Sequence, residues 1–386
     1  MILKIAYLCD HSPLDRNLYS GGNARIHDAL CRHAGKVTIL PNTWYAAQPI
    51  RRLIEAMPDA VNLRLRWRAH LALAPIITHG LQAELARGGY DVLFCAYSLW
   101  SLHKLDAPEG MVTAFTSDTT QTVFQASELG RVHGKGFRLT RPLDAWVERC
   151  ERQALRRADL ILWPSHWQRM RAEARYGLSP ETALRVPWGA NLDRVPSAPP
   201  RSIEPDGPLR LLLVGRDWWA KGGPLAFATM QALRTQGVDA RLTVIGCTPP
   251  EFHRDAYVTV HPQLDKAVPA ELATFNKTFG CAHFLVQPSY ESYGFAFCEA
   301  SAHGLPSLCL KVGGVPVLDG VNGHLLPADA KAQDFAAVIQ RYRAAPDSYA
   351  ALCRSTREKY ETRLNWDAWG AEVAGLLQEA VARKRG

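Results

Sequence analysis

Two glutamates eight residues apart, Glu291 and Glu299, flank a glycine in the run Val286-Gln-Pro-Ser-Tyr-Glu291-Ser-Tyr-Gly294-Phe-Ala-Phe-Cys-Glu299-Ala-Ser-Ala-His-Gly304. The pattern predicts a strand ending at Pro288, a short loop holding Glu291, a tight turn at Gly294 and a helix that Gly304 closes. Peptide N–H groups at such a helix start lack intrahelical partners and can bind phosphate or sugar hydroxyls. A spacing of eight is close to random by itself. With strand, turn and helix around it, both carboxylates can project into one site. The residues beside Glu299 (Phe297, Cys298, Ala300 and Ala302) are apolar, which argues against an ordinary exposed helix charge there.

The second cluster is Leu211-Leu-Leu-Val-Gly215-Arg216-Asp-Trp-Trp-Ala-Lys221-Gly222-Gly223-Pro224. Gly215 ends a strand, and Arg216 and Lys221 follow at its C-terminal end, where ligands bind in parallel sheets. Gly222-Gly223 lets the backbone come close, and Pro224 suits the first position of the next helix. Arginine can hold two phosphate oxygens at once and lysine acts as a movable point charge, so the pair suits a diphosphate. A third and weaker signal is Ser20-Gly21-Gly22-Asn23, placed after the first strand and before a helix. His11 precedes it as a loop residue.

These groups need a scaffold, and the apolar pattern supplies one. Runs at 2–8, 37–40, 92–97, 112–116 and 160–164 read as strands, with helix-length segments between them. That alternation is the signature of parallel βαβ units. Leu143, Val147, Cys150, Ala154 and Ala158 recur at helical spacing. Residues 196–208 hold five prolines and read as a linker. The alternation then resumes, with strands at 209–214, 241–245, 258–261, 284–287 and 307–310. The chain is therefore expected to be α/β, with two Rossmann-like domains whose parallel sheets face across a deep cleft. The domains are expected at 1–195 and 209–364, with a last helix over 365–386 packing through Trp366, Trp369, Val373 and Leu377.

The chain has 386 residues, of which 47% are hydrophobic and 21% charged. That composition excludes disordered, collagenous and coiled-coil classes. No stretch approaches the ~18 apolar residues of a membrane span, and the first residues read as a strand rather than a leader. Nine cysteines without a Cys-x-x-Cys pair fit single thiols in a reducing compartment, so a cytoplasmic location is expected. The net charge of +8 is uneven. Residues 1–195 carry 25 Lys and Arg against 18 Asp and Glu, whereas residues 196–386 carry 20 against 19. The basic half is either a solvated face or the binding side for an anionic partner. Residues 51–68 interleave Arg51, Arg52, Arg64, Arg66 and Arg68 with Leu53, Ile54, Leu63, Leu65 and Trp67. Such a segment can lie on an anionic membrane. Residues 131–157 add eight basic residues against three acids. No nucleic-acid-binding signature accompanies the charge, and no nucleic acid is expected as a partner.

Taken together, the motifs resemble those of retaining glycosyltransferases with the GT-B fold, glycosyltransferase family 4 in particular. The resemblance covers nearly the whole chain. It is carried by Arg216-x4-Lys221, Glu291-x7-Glu299, Gly313-Gly314-Val315-Pro316 and Asn322-Gly323, and more loosely by Gly21-Gly22 and residues 157–165 and 186–189. It implies that a nucleotide sugar binds in the C-terminal domain and the acceptor in the N-terminal one. Arg216 and Lys221 would hold the diphosphate. Glu299 would take the ribose hydroxyls. Glu291, with backbone groups of Ser292, Tyr293, Gly294 and Phe295, would hold the sugar. Gln263 and Leu264 would contact the base, and Gly21 and Gly22 would approach the phosphate or sugar. Two departures stand out. Val317 follows Gly-Gly-x-Pro where many relatives have Glu, and Asp118 stands near where many have His. Asp118 is thus a candidate catalytic residue or, alternatively, a turn residue before Thr119 and Thr120.

No Asp-x-Asp occurs in the chain, so the diphosphate-bound metal that motif would hold is not expected; no cofactor is expected either. Cationic groups of the chain are then expected to stabilise the leaving diphosphate. Same-face attack, with a leaving phosphate oxygen taking the acceptor's proton, is favoured over a double displacement through Asp118. The expected partners are a nucleotide sugar and a glycan, lipid-linked or small-molecule acceptor, with peripheral contact to an anionic membrane. A nucleotide-sugar epimerase or hydrolase on the same fold, and a catalytically dead binding subunit, are the competing readings.

Overall fold

The computed structural model describes residues 1–133, 142–193 and 201–386. The chain divides into two compact units, one of residues 1–188 and 366–386, the other of residues 189–365. The last helix, Trp366–Arg385, thus belongs to the first unit. Residues 196–200 of the expected 196–208 linker lie outside the described residues, and the boundary falls before it, at Gly189.

The first unit is built on six strands: β1 Leu3–Leu8, β2 Gly35–Ile39, β3 Val92–Ala96, β4 Val112–Thr116, β5 Leu160–Trp163 and β6 Ala183–Arg185. Their order is β2-β1-β3-β4-β5-β6, and all pairs are parallel. β3 and β4 are buried along their whole length, as strands with helices on both faces must be. Leu8, Leu93, Phe115, Ile161 and Trp163 belong to this unit's core. The closing helix lays Trp369, Val373 and Leu377 into the interior, which helical spacing dictates.

The second unit repeats the plan with β7 Leu209–Val214, β8 Ala240–Ile245, β9 Val258–His261, β10 Phe284–Val286, β11 Ser307–Leu310 and β12 Gly323–Leu326. The order is β12-β11-β10-β7-β8-β9, again all parallel. Leu211, Leu213, Val244, Phe284, Val286 and Leu308 interlock with Phe335 and Tyr349 from helices. Each sheet has one place where neighbouring strands run to opposite sides in chain order, between β1 and β3 and between β7 and β10. In open α/β sheets, ligands bind outside the carboxyl ends of the strands at such a switch. Two strands escaped the sequence reading. β6 has three residues and β12 opens on a glycine, and neither carries a run long enough to register as periodic. Among the described residues no helix is long and apolar enough to cross a membrane.

The second unit carries a pH liability. His283 accepts a hydrogen bond at Nδ1 from the Arg210 backbone N–H at 2.9 Å, and His303 is buried. Burial, reinforced by nearby arginines, pushes His283 down to about 4 and His303 down to about 3. Unfolding lets each take a proton near the ordinary imidazole value of roughly 6.5. Stability is therefore complete above that value and falls as the pH drops toward the folded values, by up to about 1.4 kcal/mol per pH unit for each group. Thermal melts between pH 7 and pH 4.5 should show this loss, and His283→Gln should flatten the slope. A melting temperature indifferent to pH over that range would contradict it.

Candidate functional site

In the second unit the switch point brings the loop after β7 against the loop after β10. Gly222, between them, has a φ of +75°, and a Cβ there would stand 2.5 Å from the Pro288 carbonyl oxygen. Only glycine meets both demands. The Val214 N–H donates to Gln287 Oε1 at 3.2 Å, which ties the two strand ends together.

Glu291 sits half-buried in this junction. Its Oε1 takes Lys221 Nζ at 2.5 Å, Ser289 Oγ at 3.0 Å and Gln287 Nε2 at 3.3 Å. Its backbone carbonyl accepts the Gly314 N–H at 2.9 Å, so the Gly313-Gly314 motif braces the same loop. Lys221 and Glu291, expected to hold different parts of a ligand, are partners in this structure. Arg216 is exposed and forms no ion pair among the described residues.

Gly294, at φ +92°, caps the helix Phe295–Ala302, and no side chain caps it. Glu299 lies in this helix and is only 5% exposed. Its carboxylate is held by Lys266 Nζ, which also donates to the Asn191 carbonyl at 3.3 Å. Lys266 was missed by sequence reading, because it stands in an unremarkable loop and carries no motif. Tyr293 is buried beside Cys298, which leaves its backbone as the part able to meet a ligand. Ser292 and Phe295 are half-buried, Gln263 is exposed and Leu264 half-buried just beyond β9. Asn322 is fully buried and donates from Nδ2 to Ser301 Oγ and the Pro316 carbonyl. Val317 is 2% exposed, so that position packs into the interior.

In the first unit, Gly21 and Gly22 are buried at the start of the helix Gly22–His33. Gly21 has a φ of +88°, and the two residues before it, Tyr19 and Ser20, are also left-handed, at +50° and +54°. Tyr97, just after β3, is left-handed at +62° and stacks on Tyr19 with ring centroids 4.1 Å apart. Non-glycine residues in this region cost about 1–3 kcal/mol each and gather at functional sites. The Gly21-Gly22 signal thus sits in a stretch of left-handed backbone. Asp118 follows β4 half-buried, and Ser117 Oγ donates to it at 3.4 Å. It borders a cavity of about 260 Å³ that Tyr19 and Tyr97 also line. Gly21, Gly22 and Asp118 thus belong to one unit, and the remaining expected site residues to the other.

Three of the five arginines expected on a cationic surface turn inward. Arg51 and Arg68 are buried, and Arg66 is engaged with Asp10 and Glu55. They are not displayed to a lipid surface. The side chain of Arg64 and residues 134–141 of the second basic segment lie outside the described residues.

Residues 208–344, which hold the Arg216, Lys221, Glu291 and Glu299 cluster, match the family described as Glycosyl transferases group 1. The D-inositol 3-phosphate glycosyltransferase of Streptomyces bingchenggensis (strain BCW-1) is 28% identical over 253 residues, covering 60% of this chain and 55% of that protein. The chain resembles glycosyltransferase family 4. It spans about half the length, or less, of the first curated relatives it matches. Solved structures show the fold over the full length. Sucrose-phosphate synthase from Thermosynechococcus elongatus superposes with a TM-score of 0.66 at 20% identity, covering 99% of this chain and 100% of that one. WaaG, a glycosyltransferase involved in lipopolysaccharide biosynthesis, gives 0.60 at 16% identity, covering 97% and 99%. The two six-stranded parallel sheets are those of the GT-B fold.

Proposed function

We propose that the chain is a glycosyltransferase that moves a sugar from a nucleotide-sugar donor, a UDP- or GDP-sugar, to a hydroxyl acceptor with retention of configuration. The observation that carries this reading is the Lys221–Glu291 pair at the switch point between β7 and β10, at 2.5 Å. It sets a cation beside a carboxylate at the place where such sheets bind ligands. The diphosphate lies along Lys221 and Arg216, whose charges offset the negative charge that develops as the sugar–phosphate bond breaks. The uncapped start of the helix Phe295–Ala302 adds its positive dipole end. Glu299, fixed by Lys266, takes the ribose hydroxyls, and Glu291 takes hydroxyls of the sugar. The acceptor attacks the face the diphosphate leaves, and a phosphate oxygen accepts its proton. Asp118 receives a hydrogen bond from an acceptor or sugar hydroxyl. The acceptor is a glycan or glycoconjugate of the bacterial cell surface, a role supported by the likeness to WaaG.

A panel of UDP-, GDP- and ADP-sugars, scored for nucleoside diphosphate release with and without acceptors, tests the reading. Transfer that depends on an acceptor supports it. Acceptor-independent release or interconversion of the donor favours the epimerase or hydrolase reading. The reaction is expected to proceed without added metal, because the chain lacks Asp-x-Asp and Lys221 and Arg216 take up the charge. Turnover in excess chelator should stay within about twofold of the untreated rate. Complete loss, restored by Mg²⁺ or Mn²⁺, would count against this mechanism.

A further inference from the structure

The loop that carries Arg216 and Lys221 is held by residues outside the charged cluster. Trp218 stands between the two cations in the chain and turns inward, 3% exposed, into the core of the second unit. Its ring fills the space beside Gly223, where a Cβ would stand 2.2 Å from the indole Cδ2. Its carbonyl accepts the Gly223 N–H at 2.8 Å. The Asp217 carbonyl accepts the Lys221 N–H at 3.0 Å, and Asp217 Oδ1 accepts the Ala220 N–H at 2.6 Å. The stem of Lys221 runs over Gly215, where a Cβ would meet its Cγ at 2.3 Å. The loop is thus wound around one indole, and the direction of Lys221 follows from where that indole sits.

The indole is fixed from outside the loop. Trp218 Nε1 donates to His253 Nδ1 at 3.2 Å. An indole N–H can only donate, so Nδ1 is the acceptor and carries no proton. His253 ends the short helix Glu251–His253 in the connection from β8 to β9. The bond therefore ties the loop after β7 to the connection after its neighbour β8. Four rings lie against the imidazole: Phe252 at 4.6 Å, Phe227 at 4.7 Å, Trp218 at 5.6 Å and Trp219 at 6.3 Å between centroids. Trp219 and Phe252 are exposed to solvent on their outer sides. Their place beside the imidazole limits the approach of water, and a hydrogen bond strengthens as water is excluded.

We infer that His253 is a positioning residue for the transfer reaction. By holding Trp218 it sets the shape of the 216–222 loop and aims Lys221 Nζ at the switch point between β7 and β10, where it meets Glu291 at 2.5 Å. The inference rests on the transferase reading and adds a residue that no motif marks. A buried indole takes an acceptor for the sake of packing alone. Here the same residue also supplies the ring and the carbonyl on which the loop is wound, three positions before the ammonium. A misplacement of about 1 Å in a group that acts on the reacting atoms costs up to roughly a hundredfold in rate. Loss of the Trp218–His253 bond should therefore be felt in kcat, through Lys221.

The test uses two variants of the full chain. His253→Phe keeps a ring among the aromatic side chains and removes the acceptor. His253→Asn puts an acceptor back near the place of Nδ1. With the donor that the wild type turns over, kcat of His253→Phe should fall about tenfold or more, with the donor KM within about twofold. His253→Asn should recover most of that loss. Trp218→Phe, which removes the donor from the same bond, should repeat the kcat loss of His253→Phe. Because His253 acts through the loop, Lys221→Ala combined with His253→Phe should lose no more than Lys221→Ala alone. Amide hydrogen exchange over residues 217–223 gives a readout that needs no turnover: it should quicken in His253→Phe and return toward wild type in His253→Asn. A kcat within about twofold of wild type in His253→Phe, an equal loss in His253→Asn, losses that multiply in the double variant, or loop exchange unchanged by His253→Phe overturns the inference and leaves the bond a matter of packing. If the wild type turns over no nucleotide sugar, the transferase reading fails separately, and the exchange comparison still decides whether His253 holds the loop.

Discussion

Lys221→Ala should cut nucleotide-sugar turnover by roughly 10²–10³-fold, the usual cost of removing one group aimed at developing charge. The fall should appear mainly in kcat, because negative charge on the departing diphosphate grows toward the transition state and an ammonium beside it matters most there. The fold should survive. Lys221 is half-buried, and its loss leaves Glu291 with Ser289 Oγ at 3.0 Å and Gln287 Nε2 at 3.3 Å. A stability loss of about 1 kcal/mol is therefore expected, at the upper end for a partly exposed pair. Lys221→Arg keeps the charge but trades a point ammonium for a planar fork, so partial activity should return. Glu291→Gln provides the partner comparison. If Lys221 acts only by holding Glu291 in place, the double variant loses no more than either single one. If it also meets the phosphate, Lys221→Ala costs more than Glu291→Gln. Activity above about a tenth of wild type in Lys221→Ala, with an unchanged melt, would remove this residue from the site.

The sequence made the second unit easier to read than the first, for a physical reason. Gly215, Gly222 and Gly294 are glycines because the backbone turns or closes up there, and each stands beside the charge it positions. The spacing of Arg216, Lys221, Glu291 and Glu299 therefore follows from strand, loop and helix geometry that the residue types themselves disclose. Lys266 escaped because its partner Glu299 is 33 residues away in the chain and nothing local marks it. The cavity escaped because its walls come from separate stretches around residues 19, 67, 97, 118 and 147, joined only by the sheet order. The left-handed Tyr19, Ser20 and Tyr97 could not be foreseen either. Tyrosine and serine give no sign of positive φ, whereas a glycine such as Gly21, at φ +88°, does. Charge counts misled in one respect, since they record how many arginines a segment holds and not which way they point.

Those inward arginines set up the largest expected effect on stability. Asp10 follows β1 and is 5% exposed. Arg66 Nε stands 3.2 Å from its Oδ2, Trp44 Nε1 3.4 Å from its Oδ1, and His70 Nδ1 3.5 Å from Oδ1, long for a hydrogen bond. Arg51 and Arg66 also donate to its backbone carbonyl, at 3.4 Å and 3.3 Å. Burial alone would raise this carboxyl, but His70, Arg66 and Arg51 outweigh it and hold Asp10 below the usual carboxylate range. The stabilisation this lends is thus present above about pH 4 and lost only as the pH falls below it. Asp10→Ala takes from Arg66 its buried carboxylate and leaves Glu55, at 2.8 Å from Arg51 Nε and 3.4 Å from Arg66 Nη1, as the one carboxylate the two guanidinium groups share. Breaking a buried pair from one side costs about 3–5 kcal/mol, and urea unfolding at neutral pH should show a loss of that size. Asp10→Asn keeps the shape and removes the charge, so it should fall between that variant and wild type. Adding Arg66→Met to Asp10→Ala withdraws one stranded cation and should recover part of the loss. A cost below about 1 kcal/mol for Asp10→Ala would show that these arginines do not depend on Asp10, and a cationic surface would again become the better account of the basic half.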